Sequence, residues 1–126
     1  MRLTAAVVRE LTIELALIVV GTIEVVFCYQ HIALLTVLLA VMSAVALCVF
    51  RSWLNVLVYG VGAVVGSSVE IVCSGAGAWH YAQPSFLGIP LWLPVAWGFA
   101  PVMMLAIAET LRKAIQPAVD RGHGSA

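Results

Sequence analysis

Charged residues are few in this chain and leave four long, predominantly apolar blocks, and that pattern limits what it can fold into more than any single motif does. Four apolar blocks lie between the interruptions, at about 8–28, 32–50, 53–74 and 86–110, each near the roughly 20 residues a helix needs to cross about 30 Å of hydrocarbon. Only 10% of the 126 residues are charged and 63% are apolar, against about 25% charged in a soluble domain. Too little polar surface remains to face water. The expected fold is therefore all-α: a polytopic membrane protein, one four-transmembrane-helix bundle over 1–113, with a polar, disordered cytoplasmic tail at 114–126. Its expected place is the cell membrane, as a multi-pass protein. Glu10, Glu14 and Glu24 break up the first block, and no small-residue cleavage site follows it, which argues against a signal peptide.

The connections define the topology. Tyr29, Gln30 and His31 are too few for anything but an antiparallel hairpin. Arg51 and Ser52 turn the second block into the third. The stretch from Ser74 to Ser85, with its Gly, Trp, His, Tyr and Pro residues, reads as an interfacial loop with an aromatic belt. Orientation follows from the cations, since Lys and Arg stay in cytoplasmic loops. With both termini cytoplasmic, Arg2, Arg9, Arg51, Arg112, Lys113 and Arg121 all lie inside and the two outer loops carry none. So strong a bias favours one fixed orientation over a dual topology. Zero formal net charge and scattered cations exclude a nucleic-acid partner.

Carboxylates inside the spans need a partner or a purpose, because an acid at the bilayer centre costs roughly 2.5–3.5 kcal/mol on insertion scales. Glu10, Glu14, Leu17, Gly21 and Glu24 fall within about 80° on a helical wheel, giving the first span one acidic, locally thin face. That face must meet another helix, a cavity or a second copy of the chain. Glu10 reads as interfacial; Glu14 and Glu24 read as functional. In the third span Gly62, Gly66 and Glu70 recur every four residues, with Ser67 and Ser68 beside them, a small-xxx-small packing face ending in an acid. Glu70 and Glu24 are expected at the same outer depth, sharing a site or a proton. Glu109, next to Arg112 and one turn before Lys113, is expected in an ion pair at the inner interface. Pro90, Pro94, Trp97 and Pro101 occupy about 60° of the fourth span, so its inner face is expected to be kinked and aromatic. With Trp79, His80, Tyr81 and Trp92 nearby, the outer half of the bundle is the expected pocket.

Cys28 and Cys73 end the outer halves of their spans, where a disulfide is allowed but buried free thiols are commoner; Cys48 lies at the inner end. His31, His80, Glu70 and Cys73 lack compact ligand spacing such as CxxC or HxxxH, so no metal site and no cofactor is expected. Haem ligation by His31 and His80 is disfavoured because neither lies within a span.

The segment Glu70, Gly77-Ala78-Trp79-His80-Tyr81, Leu87-Gly88-Ile89-Pro90-Leu91, Pro94 and Trp97 resembles the membrane proteins of carotenoid biosynthesis, the hydratase and lycopene-cyclase-domain group. In that group an acid ending one span is followed by a Gly, aromatic, Tyr loop and a Leu-Gly-x-Pro approach to the next. The resemblance covers about a quarter of the chain. It implies acid chemistry on an isoprenoid double bond, with Glu70 as the proton donor; Glu24, expected at the same depth, is a second catalytic candidate by its placement alone. Trp79, Tyr81, Trp92 and Trp97 would steady the resulting cation through their ring faces. Apart from the resemblance, His80 in the outer loop and Glu14 on the acidic face of the first span are further substrate-binding candidates.

Three functions stand side by side: chemistry on, or binding of, an isoprenoid-like lipid; a non-catalytic subunit or assembly factor of a membrane complex; and a small proton-coupled transporter, for which Glu14 in the first span is the pertinent residue. Membrane lipid and a hydrophobic small molecule are the expected partners. Four short helices enclose little volume, so the working unit is expected to be a homo-oligomer or part of a larger complex.

Overall fold

The computed structural model of the chain describes residues 3–116. It comprises four helices: α1 (Ala5–Cys28), α2 (Ile32–Val49), α3 (Trp53–Gly75) and α4 (Leu93–Ile115). Each is long and apolar enough to cross a membrane, and the chain is a multi-pass membrane protein built as a four-helix bundle. The first three agree with the sequence expectation to within a few residues. The fourth does not. Residues 86–92 form a tight turn and a short lead-in, so Pro90 lies outside the helix, Pro94 sits in its first turn and only Pro101 is internal. Continuous apolarity concealed this boundary, because Phe86, Leu87, Ile89, Leu91 and Trp92 are as apolar as a span. At the other end α4 continues past Lys113 to Ile115; the tail expected at 114–126 lies, from 117 on, outside the described residues, as do Arg2 and Arg121.

Local chemistry sets the helix ends. Thr4 caps α1 by accepting from the Val7 N–H at 3.3 Å, and Ser52 caps α3 by accepting from the Leu54 N–H at 3.2 Å. The buried Asn55 amide donates to the Phe50 carbonyl, meeting the exposed C-terminal backbone of α2 in the same short connection. Thr12, Thr22, Thr36 and Ser68 each donate to the carbonyl four residues earlier, at 2.7–2.9 Å, which keeps their hydroxyls satisfied without a solvent.

Packing centres on α4, the one helix that lies substantially against all three others among the described residues. Leu35, Leu39, Met42 and Ala46 of α2 meet Phe99 and Met103 of α4 in the core. The α3–α4 contact is the most extensive, and glycines make it so. A Cβ on Gly66 would clash with the Trp97 ring, and one on Gly62 would strike Pro101 and the Trp97 carbonyl. That carbonyl is the one left without its helical donor by Pro101, and α3 comes close to it where no side chain intervenes. Gly98 likewise admits the Tyr59 ring. Since lipid gives no hydrophobic drive between helices, this close van der Waals fit is what holds α3 on α4.

Gly66→Leu should therefore overpack the α3–α4 seam and destabilise the bundle by about 1–3 kcal/mol, measured as an earlier unfolding transition on titrating micelles with SDS. Adding Trp97→Ala to that variant should return part of the loss, because the two side chains compete for one volume.

Candidate functional site

At the aromatic end, the Trp79 indole N–H and the Tyr81 O–H both donate to the same Glu70 oxygen, at 3.0 and 2.7 Å. The loop that carries them is stitched back to α3. Phe86 and Ile89 exchange backbone hydrogen bonds of 3.0 and 2.9 Å across a turn with Leu87 and Gly88 at φ 47° and 83°, and the Ser74 hydroxyl donates to the Gly88 carbonyl at 3.2 Å. Left-handed backbone suits the glycine, and its missing Cβ leaves room for the Ser74 hydroxyl. Glu70 here accepts from two donors on the loop and so anchors that loop to α3. Trp79 and Tyr81 address it through their polar edges.

The remaining members of the expected outer pocket are elsewhere. His80 is exposed, Trp92 packs on the α2–α4 core and Trp97 fills the Gly66 groove. Glu24 makes no hydrogen bond with Glu70, and the helices that carry them pack on α4 rather than closely on each other; one Glu24 oxygen is buried without a partner. Glu14 faces the opposite end of the bundle.

That opposite end, where Arg9, Arg51, Arg112 and Lys113 gather, holds a polar cavity of about 690 Å³ lined from all four helices and the α2–α3 connection. Glu14 forms its deepest wall at 1% exposure. Its Oε1 lies 2.7 Å from the Thr110 hydroxyl and its Oε2 is buried with no partner. Thr110 also stands 3.3 Å from Glu10, whose carboxylate is paired with Lys113 at 2.8 Å. The sequence expectation paired Lys113 with Glu109; instead Lys113 reaches across to α1 and Glu109 stays exposed. A helical wheel shows only neighbours on one helix, and the crossing of α1 over α4 was not visible in it.

A second cavity, of about 290 Å³ and almost wholly apolar, follows the same α1–α4 seam toward the aromatic end. Gly21 forms its floor, with Ile18, Leu39, Met42, Phe99 and Met103 around it. The thin face read from the first span is thus present, and it borders a cleft. Its three buried positions, Val7, Glu14 and Gly21, recur every seven residues.

Among the described residues no three His, Cys, Asp or Glu side chains converge on a metal-sized site, and Cys28, Cys48 and Cys73 are free. Comparison with known proteins finds no matching family model, no similar curated protein and no similar solved structure. Function therefore has to be argued from the geometry.

Burial, reinforced by the bond to Glu70, pushes the Tyr81 phenol from its ordinary 10.0 up to about 12. A neutral phenol thus favours the folded loop fully below pH 10 and ceases to do so as pH rises through 12. The tyrosinate absorbance lost in Tyr81→Phe should titrate near pH 12, and Glu70→Gln, which removes the charge but keeps the burial, should move that midpoint only partway back toward 10.

Proposed function

We propose that this protein sits in the cell membrane and binds a single-chain amphiphile, an isoprenoid or acyl tail carrying an anionic head. The tail occupies the apolar cleft between α1, α2 and α4, and the head occupies the polar cavity at the cationic end. One observation carries the reading: the two cavities succeed one another along a single seam. Glu14, which lines the polar one, and Ile18, which lines the apolar one, are a single helical turn apart, or about 6 Å. A charged chamber opening onto a greasy one matches the two halves of such a molecule. Arg9 and Arg51 line the chamber and form no ion pair among the described residues; the Arg51 Nε donates to the Cys48 carbonyl at 3.3 Å, and its terminal amino groups, with the Arg9 guanidinium, are the donors offered to a phosphate or carboxylate head. At about 290 Å³ the cleft falls just below the roughly 300–1,000 Å³ usual for ligand pockets, enough for a segment of one tail. Methionines on its walls adapt to a flexible chain.

Acid catalysis at Glu70 has less support. One of its oxygens is already engaged by Trp79 and Tyr81, and the rings that would steady a carbocation are dispersed, Trp92 on the core and Trp97 on Gly66.

A photoactivatable polyprenyl phosphate, added to the protein in micelles, should label Met42, Met103 and Met104 saturably. Gly21→Leu, which fills the cleft floor, should weaken labelling by about tenfold, equivalent to roughly 1.4 kcal/mol of binding. Unsaturable labelling spread over lipid-facing positions such as Val64 and Val72, unchanged by Gly21→Leu, would refute the proposal. Visible absorbance in the purified protein would identify the tail as a carotenoid.

A further inference from the structure

The wall of the polar cavity, where the head of the proposed amphiphile sits, also carries a cluster of side chains short of hydrogen-bond donors. Thr110 has one hydroxyl proton, yet its oxygen lies 2.7 Å from Glu14 and 3.3 Å from Glu10. Two ionised carboxylates offer only acceptors, so Thr110 can donate to one of them and must leave the other unbonded. Both contacts become hydrogen bonds when one carboxyl brings a proton of its own. Lys113 lies 2.8 Å from Glu10, which makes Glu14, with no cation in contact and one oxygen unpartnered, the carboxyl placed to carry that proton.

We propose that Glu14, Thr110, Glu10 and Lys113 form a proton-binding relay, with one proton held on Glu14 and exchanged with water at the cationic end. The geometry has a direction. Glu14 is 1% exposed, whereas the Glu10 and Lys113 side chains are 31% and 56% exposed, so the chain of contacts runs from the interior to the surface in three steps. Glu14 donates to the Thr110 oxygen, the Thr110 hydroxyl donates to Glu10, and the Lys113 ammonium donates to Glu10. A proton leaving Glu14 passes to Thr110 as the Thr110 proton passes to Glu10, which conserves charge and atoms along the line. The other ionisable groups on the cavity are Arg9 on α1, Arg51 in the α2–α3 connection and Glu109 on α4; α3 contributes Asn55, whose amide is already committed to the Phe50 carbonyl. The unpartnered Glu14 Oε2 is a poor resting place for half a negative charge and a tolerable one for the carbonyl oxygen of a neutral acid.

Infrared spectroscopy of the full chain in micelles at neutral pH tests this. The expected result is a protonated-carboxylic-acid carbonyl band that Glu14→Gln removes and Glu10→Gln retains. Thr110→Val should shift it to higher frequency as its hydrogen bond is lost, and transfer to deuterium oxide should shift it downward because the site exchanges with water. Glutamine is the neutral isostere of a protonated glutamate, so Glu14→Gln should also unfold at the wild-type SDS fraction. Should Glu14→Gln not fold, Glu14→Asp supplies the assignment by displacing the band. Absence of any such band, or a band that persists unchanged in both Glu14 variants, would overturn the proposal. Neither outcome depends on whether a lipid binds the cleft.

Discussion

Lipid supplies no hydrogen-bond partners, and α4 is where this chain meets that deficit. Its Thr110 reaches the one carboxyl that α1 buries completely, its Lys113 reaches the neighbouring carboxyl at the membrane edge, and its apolar face fills the core against α2. A helix without Thr110 could pack on α1 only by leaving both oxygens of the buried Glu14 without a hydrogen-bond partner, at a cost of kcal/mol order. The register of α1 on α4 is fixed by that polar pair, since Leu, Val and Met neighbours tolerate sliding far better than a buried acid does.

The α3–α4 seam works by a different physics. Here no polar pair sets the register; shape does, through the Trp97 ring on Gly66 and the Tyr59 ring on Gly98. Because α4 is occupied by α3 on one side and by α1 and α2 on the other, α1 and α3 are kept apart. That separation leaves Glu70 to the loop and Glu24 to its own helix, and it puts the two cavities along α1 rather than in a common central chamber.

Much of this was legible in the sequence. Four spans, a short hairpin, the Gly62–Gly66 packing face and the thin face at Gly21 all follow from periodicity within one helix, which a sequence displays directly. The start of α4 at Leu93 was hidden, because the turn at 86–89 is made of apolar residues and only Gly88 marks it. Contacts between helices were hidden more deeply. Lys113 has Glu109 as a neighbour on its own helix and Glu10 across the seam, and only the packing decides between them. Trp97 and Trp92 were read as lining a pocket when they serve as packing, since an aromatic in a span looks the same in either role. Arrangement between helices also explains why the polar cavity lies at the cationic end, although the aromatic residues gather at the other.

Glu14 and Glu24 show how far that dependence goes. They are ten residues apart on one face of α1, about 15 Å along its axis, and nothing in their immediate sequence distinguishes them. What differs is the opposite wall. Antiparallel packing places Thr110 of α4 against Glu14, while Val25, next to Glu24, borders the apolar cleft lined by Ala96, Phe99 and Ala100 of α4. A hydroxyl turns the first carboxyl into one end of a hydrogen-bonded line; the second has no such partner for its buried oxygen. The chemistry of a membrane carboxyl is thus assigned by the residue that the bundle places across from it, and in this bundle that residue belongs to α4.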